Sequence, residues 1–266
     1  MTTAVSDPAT VHYQVRNRVA IITIERPEAM NAVNGAVSTG IGTALSSADA
    51  DPEVRAVVLT GSGRAFCSGA DLKALSRGED IMAAGHPEWG FAGWVQHRVT
   101  VPTIAAVNGF ALGGGTELVL AADLAVADPA ATFGLPEVRR GLIAAAGGAI
   151  RLPRQLPYKV AMELALTGAS IDAETARDLG LINRVCEPGA VLKAAVELAE
   201  RIAANAPLAV AETKRVIQET AALGSSWDEE SWRISDQAMR RVVRSEDFAE
   251  GTAAFAAKRQ PQWRGR

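Results

Sequence analysis

The chain has 266 residues, of which 48% are hydrophobic and 21% charged, and its formal net charge is −3. This balance predicts a globular protein with a large buried core, near the upper end of single-domain size. A slightly negative charge does not favour nucleic acid or an anionic membrane as the main partner. Two unpatterned cysteines, Cys67 and Cys186, and a start that lacks the pattern of a signal peptide predict a cytoplasmic protein.

Strand-like and helix-like patterns alternate in the first half of the chain. Residues 1–16 contain no apolar run and are predicted to be a mobile lead-in. The apolar stretch Val101–Ala127 is interrupted by polar residues and glycines, which indicates buried core rather than a membrane span. In chain order, the patterns predict a strand at Val19–Ile24, a helix at Asn34–Ala48, and strands at Val54–Thr60, Thr103–Val107 and Asp123–Ala127.

The second half is predicted to be almost entirely helical from Pro157 onward. Strands alternating with helices and followed by a run of helices predict an α/β core with a helical C-terminal region. The segment Arg77–Trp94 has no clear period, and we expect a mobile loop with some helix that covers the site. The helices are expected at Tyr158–Thr167, Ala173–Leu179, Pro188–Asn205, Leu208–Leu223, Trp227–Val243 and Asp247–Lys258.

A cluster of three glycines, Gly113 to Gly115, lies between an apolar strand and a helical pattern that carries Glu117. Glycine lets another molecule approach the main chain closely. The first N–H groups of a helix have no partner within the helix, and the helix dipole favours negative charge there. Gly114 and Glu117 are three residues apart and share a helix face. This pattern predicts an oxyanion-binding site with an acid or base one turn away.

Two further segments place polar groups at helix starts. Gly69 permits a sharp bend, and Asp71 follows where the first turn of a helix favours a carboxylate, so the N–H of Ala70 is a second donor near a helix start. Pro136 suits the first position of a short helix, which places Glu137 at its start.

Each of these features has a simpler explanation when it is taken alone. The glycines can form a tight strand–helix turn, and Glu137 can be an ordinary helix-start carboxylate. Glu117 lies in an apolar helix, where an unpaired carboxylate is costly, so it is either a buried salt-bridge partner or a tuned acid or base. The glycines do not fit a dinucleotide or P-loop pattern. The three histidines lack metal-ligand spacing, so we expect no metal.

Several separated motifs, taken together and in this order, resemble the enoyl-CoA hydratase/isomerase (crotonase) family. The resemblance runs from about Val11 to the C-terminus. It implies an α/β fold in which a spiral of ββα turns, residues 1–200, binds and transforms an acyl-CoA thioester. It also implies a helical region, residues 201–266, that forms homotrimers or dimers of trimers. The motifs are Asn31 after Arg26-Pro27, Ser68–Lys73, Ile104–Gly115 with Leu120–Leu124, Phe133–Glu137, and Phe255 with Lys258-Arg259.

The resemblance also implies roles for single residues. The N–H groups of Ala70 and Gly114 would hold the thioester oxygen, and Glu117 and Glu137 match the two catalytic carboxylates of hydratases. Coenzyme A is part of the substrate, so no separate cofactor is implied. The substrate or its coenzyme A would be contacted by Ala29, Ser68, Asp71, Leu72, Lys73, Gly113, Pro136, Ala145, Phe255 and Lys258, the last two often from a neighbouring subunit.

Both glutamates together favour reversible hydration of trans-2-enoyl-CoA to 3-hydroxyacyl-CoA. The tail from Ser245 to Arg266 more narrowly resembles carnitinyl-CoA dehydratases. A carnitinyl-CoA dehydratase or crotonobetainyl-CoA hydratase, an enoyl-CoA isomerase and a non-catalytic acyl-CoA binder therefore remain alternatives. Ala144-Ala145 stands where hydratases usually have Pro-Gly; the N–H of Ala145 is expected to hold the water. Glu28 stands where a lysine often meets the CoA phosphates.

Overall fold

The computed structural model describes residues 10–266 except 222, 224 and 226, and two sheets organise this part of the chain. Long strands alternate along the sequence with short ones that belong to the second sheet. The strands are β1 (Val11–Arg16), β2 (Val19–Ile24), β3 (Ala56–Gly61), β4 (Ala65–Cys67), β5 (Thr103–Val107), β6 (Phe110–Leu112), β7 (Leu124–Ala127), β8 (Thr132–Gly134), β9 (Ser170–Asp172) and β10 (Arg184–Val185).

Helices follow most of the short strands and make up most of the C-terminal half. Short 3-10 helices add single turns at Pro27–Ala29, Pro87–Trp89, Phe91–Gly93 and Pro136–Arg140. The α-helices are α1 (Gly35–Ala50), α2 (Leu72–Ser76), α3 (Gly114–Ala121), α4 (Gly148–Gln155), α5 (Tyr158–Thr167), α6 (Ala173–Asp178), α7 (Val191–Ala203), α8 (Pro207–Thr220), α9 (Glu229–Val242) and α10 (Glu246–Ala256).

The strands form one sheet of six and one of four. The larger sheet has the order β1-β2-β3-β5-β7-β10 and is parallel except for the β1–β2 pair. The smaller sheet has the order β4-β6-β8-β9 and is parallel except for β8–β9. Each of β3, β5 and β7 leads into β4, β6 or β8 and then into a helical turn. This succession confirms the predicted α/β fold of ββα turns.

The larger sheet is buried on both faces, which explains its continuous apolar strands. Side chains of successive residues point to opposite faces. Ile22 and Leu59 therefore pack in one cluster with Ile41 of α1, on one side of the sheet. Ile21 and Val58 pack on the other side, against α7. The central predicted strands, including Thr103–Val107, are confirmed with shifts of at most a few residues.

The prediction of a mobile lead-in at residues 1–16 is wrong for its second part, and residues 1–9 lie outside the described residues. Residues 11–16 form β1, which pairs with β2 along its whole length. Asn17 and Arg18 connect the two strands with φ of 49° and 67°. Two-residue hairpin turns of this kind usually contain glycine, so Asn-Arg gave no recognisable signal.

Hydrogen bonds fix the end of the chain within the C-terminal helical region, and one of them joins it to the core. The carboxylate of Asp247 accepts from the amides of Arg264 and Gly265 at 2.6 and 2.9 Å. Trp263 Nε1 donates to the Ala204 carbonyl, and Arg55 Nη2 donates to the Trp263 carbonyl. The predicted helices of this region are present with small shifts; residue 222, within the helix predicted at Leu208–Leu223, lies outside the described residues.

The division into a core of residues 1–200 and a trimerisation region of residues 201–266 stays a prediction.

None of the helices in the described ranges is long and apolar enough to cross a membrane.

Candidate active site

A cavity of about 820 Å³ opens where β4, β6 and β8 end. Because these strands are parallel neighbours, the segments after them meet at one edge of the sheet. The cavity brings together all the residues predicted to contact substrate except Phe255 and Lys258, which lie exposed at the end of α10. The predicted residues that line it are Ala29, Ser68, Ala70, Asp71, Leu72, Lys73, Gly113, Gly114, Glu117, Pro136, Glu137 and Ala145.

The N–H groups of Ala70 and Gly114 point away from the residues that bond to the preceding carbonyl groups. The Gly69 carbonyl accepts a hydrogen bond from Val33, and the Gly113 carbonyl accepts one from Glu117. In a trans peptide the N–H lies opposite the carbonyl of the same unit. The next N–H in each case, that of Ala70 or Gly114, is therefore directed away from the bonded partner. Since both residues line the cavity, they supply two backbone donors to it.

Glycine is required for these two segments to approach each other. Gly69 has a φ of +95°, and a Cβ there would lie 3.0 Å from the Leu112 carbonyl oxygen and 3.1 Å from Gly114 N. Gly113 has a φ of +57° and a ψ of −123°, which side chains other than hydrogen disfavour. The contact between the Gly69 and Gly113–Gly114 backbones thus places the two donors side by side.

Glu117 is almost completely buried, with 3% exposure, in the first turn of α3. Its Oε1 accepts a hydrogen bond of 2.8 Å from Gly148 N. Burial raises the pKa of Glu117 to about 7, although the Gly148 amide favours the charged form; the nearby Glu137 carboxylate adds to the rise. The group therefore exchanges its proton near neutral pH, as a base or acid of this kind must.

Glu137 approaches the same space from the 3-10 helix Pro136–Arg140. A Cβ built on Gly113 would lie 3.0 Å from Glu137 Oε1, so this oxygen is close to the backbone that supplies the Gly114 amide. Glu137 Oε2 is buried and has no hydrogen-bond partner among the described residues. Burial raises the pKa of Glu137 against the opposing effects of its own amide and Arg140. Burial therefore outweighs the helix dipole, which favours the charged form.

The segment Ala144–Gly148 holds Glu117 through a residue that sequence reasoning did not identify. The Ala145 amide, expected to hold a water, instead donates to the Ile143 carbonyl at 2.8 Å. Gly148 supplies the bond to Glu117, and the Ala146 amide also favours the ionised form of that carboxylate. Gly147, with a φ of +111°, sets up this turn before α4. The Gly147-Gly148 pair was the only sequence signal for it.

Asp71 lines the cavity, but its carboxylate is committed to structural contacts. Oδ1 accepts from the amides of Lys73 and Ala74 at the start of α2, and Oδ2 accepts from Arg26 Nη2 at 3.0 Å. Ionised carboxylates at such a helix start are stabilising. Asp71 therefore fixes the loop that carries the Ala70 amide.

The segment Arg77–Trp94, predicted to be a mobile loop over the site, is packed in its second half. Phe91 and Trp94 are buried, and Trp94 Nε1 donates to the Leu118 carbonyl of α3 at 3.2 Å. From this segment only Arg77 and Phe91 line the cavity. A Cβ on Gly114 would lie 2.4 Å from the Phe91 ring, so this ring packs directly on the glycine that supplies an amide.

A group of three or more side chains able to hold a metal ion is absent from the part of the chain that the structure describes. The polar groups of the cavity are backbone amides and carboxyl groups, which suit proton transfer next to a developing negative charge on oxygen.

Comparisons with known proteins find relatives over nearly the whole chain. The sequence profile of the family described as enoyl-CoA hydratase/isomerase matches residues 14–266. A carnitinyl-CoA dehydratase from Proteus mirabilis (strain HI4320) is 39% identical over 262 residues, which cover 96% of this chain and 98% of that protein.

Two solved structures resemble the chain over nearly its whole length. An enoyl-CoA hydratase from Mycobacterium tuberculosis H37Rv has 48% identity and a TM-score of 0.89, with 97% of this chain and 100% of that chain covered. A carnitinyl-CoA dehydratase from Mycobacterium avium 104 has 56% identity and a TM-score of 0.78, with 97% and 99% covered.

The raised pKa of Glu117 predicts a pH-dependent cost in stability. Between the ordinary value of 4.5 and about 7, the folded state keeps a proton that the unfolded state releases, so this group lowers stability as pH rises through that window. Glu117→Gln removes the effect. We expect the variant to gain up to about 3 kcal/mol relative to the parent at pH 8, and much less at pH 5.

Urea unfolding of both proteins at the two pH values measures this difference. Glu163→Gln, at an exposed position of α5, is the matched control and should show no comparable change. A stability difference for Glu117→Gln that is the same at pH 5 and pH 8 would contradict the prediction.

Proposed function

Because the chain belongs to the enoyl-CoA hydratase/isomerase family, we propose that it is an enoyl-CoA hydratase that adds water reversibly to trans-2-enoyl-CoA, giving 3-hydroxyacyl-CoA. The observation that carries the proposal is that the buried carboxyl group of Glu117 and that of half-buried Glu137, whose Oε2 is buried, line one cavity together with the backbone donors of Ala70 and Gly114. An isomerase needs to move only one proton between carbons, whereas hydration uses a base for water and an acid for carbon.

The thioester oxygen binds between the amides of Ala70 and Gly114. These donors polarise the C1 carbonyl, make C3 electrophilic and stabilise the enolate that forms when C3 is attacked. Removing one donor of this type typically costs about 3 kcal/mol in the transition state. The N-terminus of α3, whose first residue is Gly114, adds its dipole to the same negative charge.

The two carboxyl groups divide the proton transfers. Ionised Glu117 takes a proton from water as the water oxygen bonds to C3, and protonated Glu137 gives its proton to C2 as the enolate collapses. Water thereby supplies the hydroxyl group and one proton, which Glu117 holds. The cycle closes when this proton passes from Glu117 to Glu137, which restores the starting protonation of both groups. In the proposed reaction both groups act on the same face of the C2–C3 double bond, so addition is syn. In dehydration each group performs the reverse step.

Carnitinyl-CoA dehydration is the second candidate, because relatives with that name match nearly the whole chain. The same donors and carboxyl groups support it, since loss of water from C2 and C3 is the reverse of the proposed hydration. The two functions differ in the acyl group, which carries a quaternary ammonium next to C3 in the carnitinyl substrate.

Two residues predicted to contact coenzyme A do not line the cavity of their own chain. Phe255 is 88% exposed, and the exposed Lys258 follows two residues after the end of α10. We infer that both residues contact coenzyme A bound to a neighbouring subunit, in a homotrimer or a dimer of trimers. Glu28 lies at the cavity, where it supplies no positive charge to the phosphates.

A panel of thioesters tests the proposed function. Loss of the absorbance of the conjugated thioester should be faster with a trans-2-enoyl-CoA such as crotonyl-CoA than with crotonobetainyl-CoA. A 3-enoyl-CoA is not conjugated, so a rise in absorbance with that substrate would instead indicate an isomerase. Preference for crotonobetainyl-CoA would select the second candidate. Tight acyl-CoA binding without turnover of any member would mean that the chain is a non-catalytic binder.

Removal of either carboxyl group should abolish most turnover while binding persists. Glu117→Gln and Glu137→Gln are each expected to lower kcat by about 10²–10⁴-fold, because each removes one proton transfer. The dissociation constant of an unreactive acyl-CoA, measured by calorimetry, should change little. Near-parental kcat in either variant would refute the assigned role of that residue.

The contact at Gly69 predicts a second effect on turnover. Gly69→Ala pushes a methyl group against the Leu112 carbonyl and Gly114 N, which separates the two donors. We expect kcat/KM to fall at least about 10²-fold, as when an oxyanion donor is removed. Gly78→Ala is the matched control, because Gly78 also has a positive φ of +74° but nothing within 4 Å of the added methyl group. Equal losses in both variants would show that backbone strain, not donor placement, matters.

A further inference from the structure

Arg151 lies in α4, behind the segment that holds Glu117, and does not line the cavity. Its guanidinium is half-buried, and Nη2 donates a hydrogen bond of 2.5 Å to the Val95 carbonyl. Its backbone N donates to the Gly147 carbonyl at 2.7 Å. Arg151 therefore connects the start of α4 to the packed end of the segment that carries Phe91.

The guanidinium occupies the space where a side chain of residue 147 would stand. A Cβ built on Gly147 would lie 2.3 Å from Arg151 Nη1 and 3.3 Å from Cζ. Gly147 directly precedes Gly148, whose amide donates to Glu117 Oε1. Because the guanidinium packs on one residue of this turn and anchors to Val95, it limits movement of the neighbouring amide.

The charged groups that act on Glu117 come from two elements packed around α3. The 3-10 helix contributes the Glu137 carboxylate, beside Arg140, and α4 contributes the Arg151 cation, beside Arg154. Glu137 opposes ionisation of Glu117, and Arg151 favours it. The effect is mutual, since the Glu117 carboxylate also favours the charged form of Arg151 while burial lowers its pKa.

We propose that Arg151 is a positioning residue for hydration: it holds the Gly147-Gly148 turn against Glu117 and favours the ionised form of that carboxylate, in which it acts as the base. The inference rests on the proposed function, because it assigns a base role to Glu117. Two consequences follow from one side chain. Loss of the anchor lowers the rate at all pH values, and loss of the charge shifts the pH at which Glu117 becomes a competent base.

Kinetics of Arg151→Gln and Arg151→Lys separate the two effects. Glutamine keeps a donor for the Val95 carbonyl but has no charge, and lysine keeps the charge without the planar guanidinium. For Arg151→Gln we expect the acidic limb of kcat/KM to move to higher pH, so that the loss is roughly threefold or more greater at pH 6 than at pH 8. Arg151→Lys should keep the parental limb with a lower plateau.

Arg154→Gln is the matched control, because Arg154 is an exposed arginine on the same helix and does not act directly on Glu117. Its pH profile should equal that of the parent. An unshifted limb in Arg151→Gln, or the same shift in Arg151→Lys or Arg154→Gln, would overturn the proposal.

A measurement without turnover distinguishes failure of this inference from failure of the proposed function. Carbon-13 NMR of protein labelled at the glutamate side-chain carboxyl, with Glu117 identified by its absence in Glu117→Gln, gives the titration of this group directly. A higher midpoint in Arg151→Gln but not in Arg151→Lys supports the electrostatic role even if no thioester is hydrated. An unchanged midpoint in Arg151→Gln refutes that role even if the enzyme is an active hydratase.

Discussion

Burial of the Glu117 carboxyl group beside a second carboxyl group is the constraint on which the site depends. A charged carboxylate is costly away from water unless hydrogen bonds or an opposite charge compensate it. Here one backbone amide, from Gly148, donates directly to the buried oxygen, and the positive charge of Arg151 also favours the ionised form of Glu117. The compensation is incomplete, which leaves the group with a pKa of about 7 rather than a fixed charge. A fully compensated carboxylate would be more stable but a weaker base.

Several contacts anchor α3, the helix that carries Glu117. α3 is anchored along its length: Thr116 Oγ1 donates to the Ala111 and Gly134 carbonyls, and Trp94 Nε1 donates to the Leu118 carbonyl. Leu118 itself is fully buried in the main core. The large apolar core can therefore offset a site in which one buried polar atom, Glu137 Oε2, has no hydrogen-bond partner among the described residues.

Backbone geometry, rather than side-chain chemistry, places the other half of the site. Three parallel neighbouring strands end at one edge, and each is followed by a turn that presents a functional group. Close contact between Gly69 and the Gly113–Gly114 peptide brings two amides from separate turns together. Arg26 and Asp71 fix one of these turns from outside through an ion pair of 3.0 Å. The Arg26 and Asp71 side chains stabilise the turn, and the amides of Ala70 and Gly114 remain available to a ligand.

Elements with local signals could be predicted from the amino-acid sequence. Strand and helix patterns and the backbone freedom of glycine are short-range properties, so a few neighbouring residues suffice to predict them. Examples are the apolar strand Thr103–Val107, the glycines that follow it, and the helix-start positions of Glu117 and Glu137. The order of the motifs was then enough to predict the family and the fold.

Which functional groups contact one another became clear only from the tertiary structure. In the folded chain Gly148, not Ala145, donates the hydrogen bond to Glu117, and the Ala145 amide is bonded to the Ile143 carbonyl. Phe91 packs on Gly114, and the Arg151 guanidinium packs on Gly147. Those contacts join segments tens of residues apart and depend on the direction of single peptide groups, which no local pattern encodes. The hairpin that forms β1 was missed for a related reason, since Asn17 and Arg18 adopt positive φ only with the support of the paired strands.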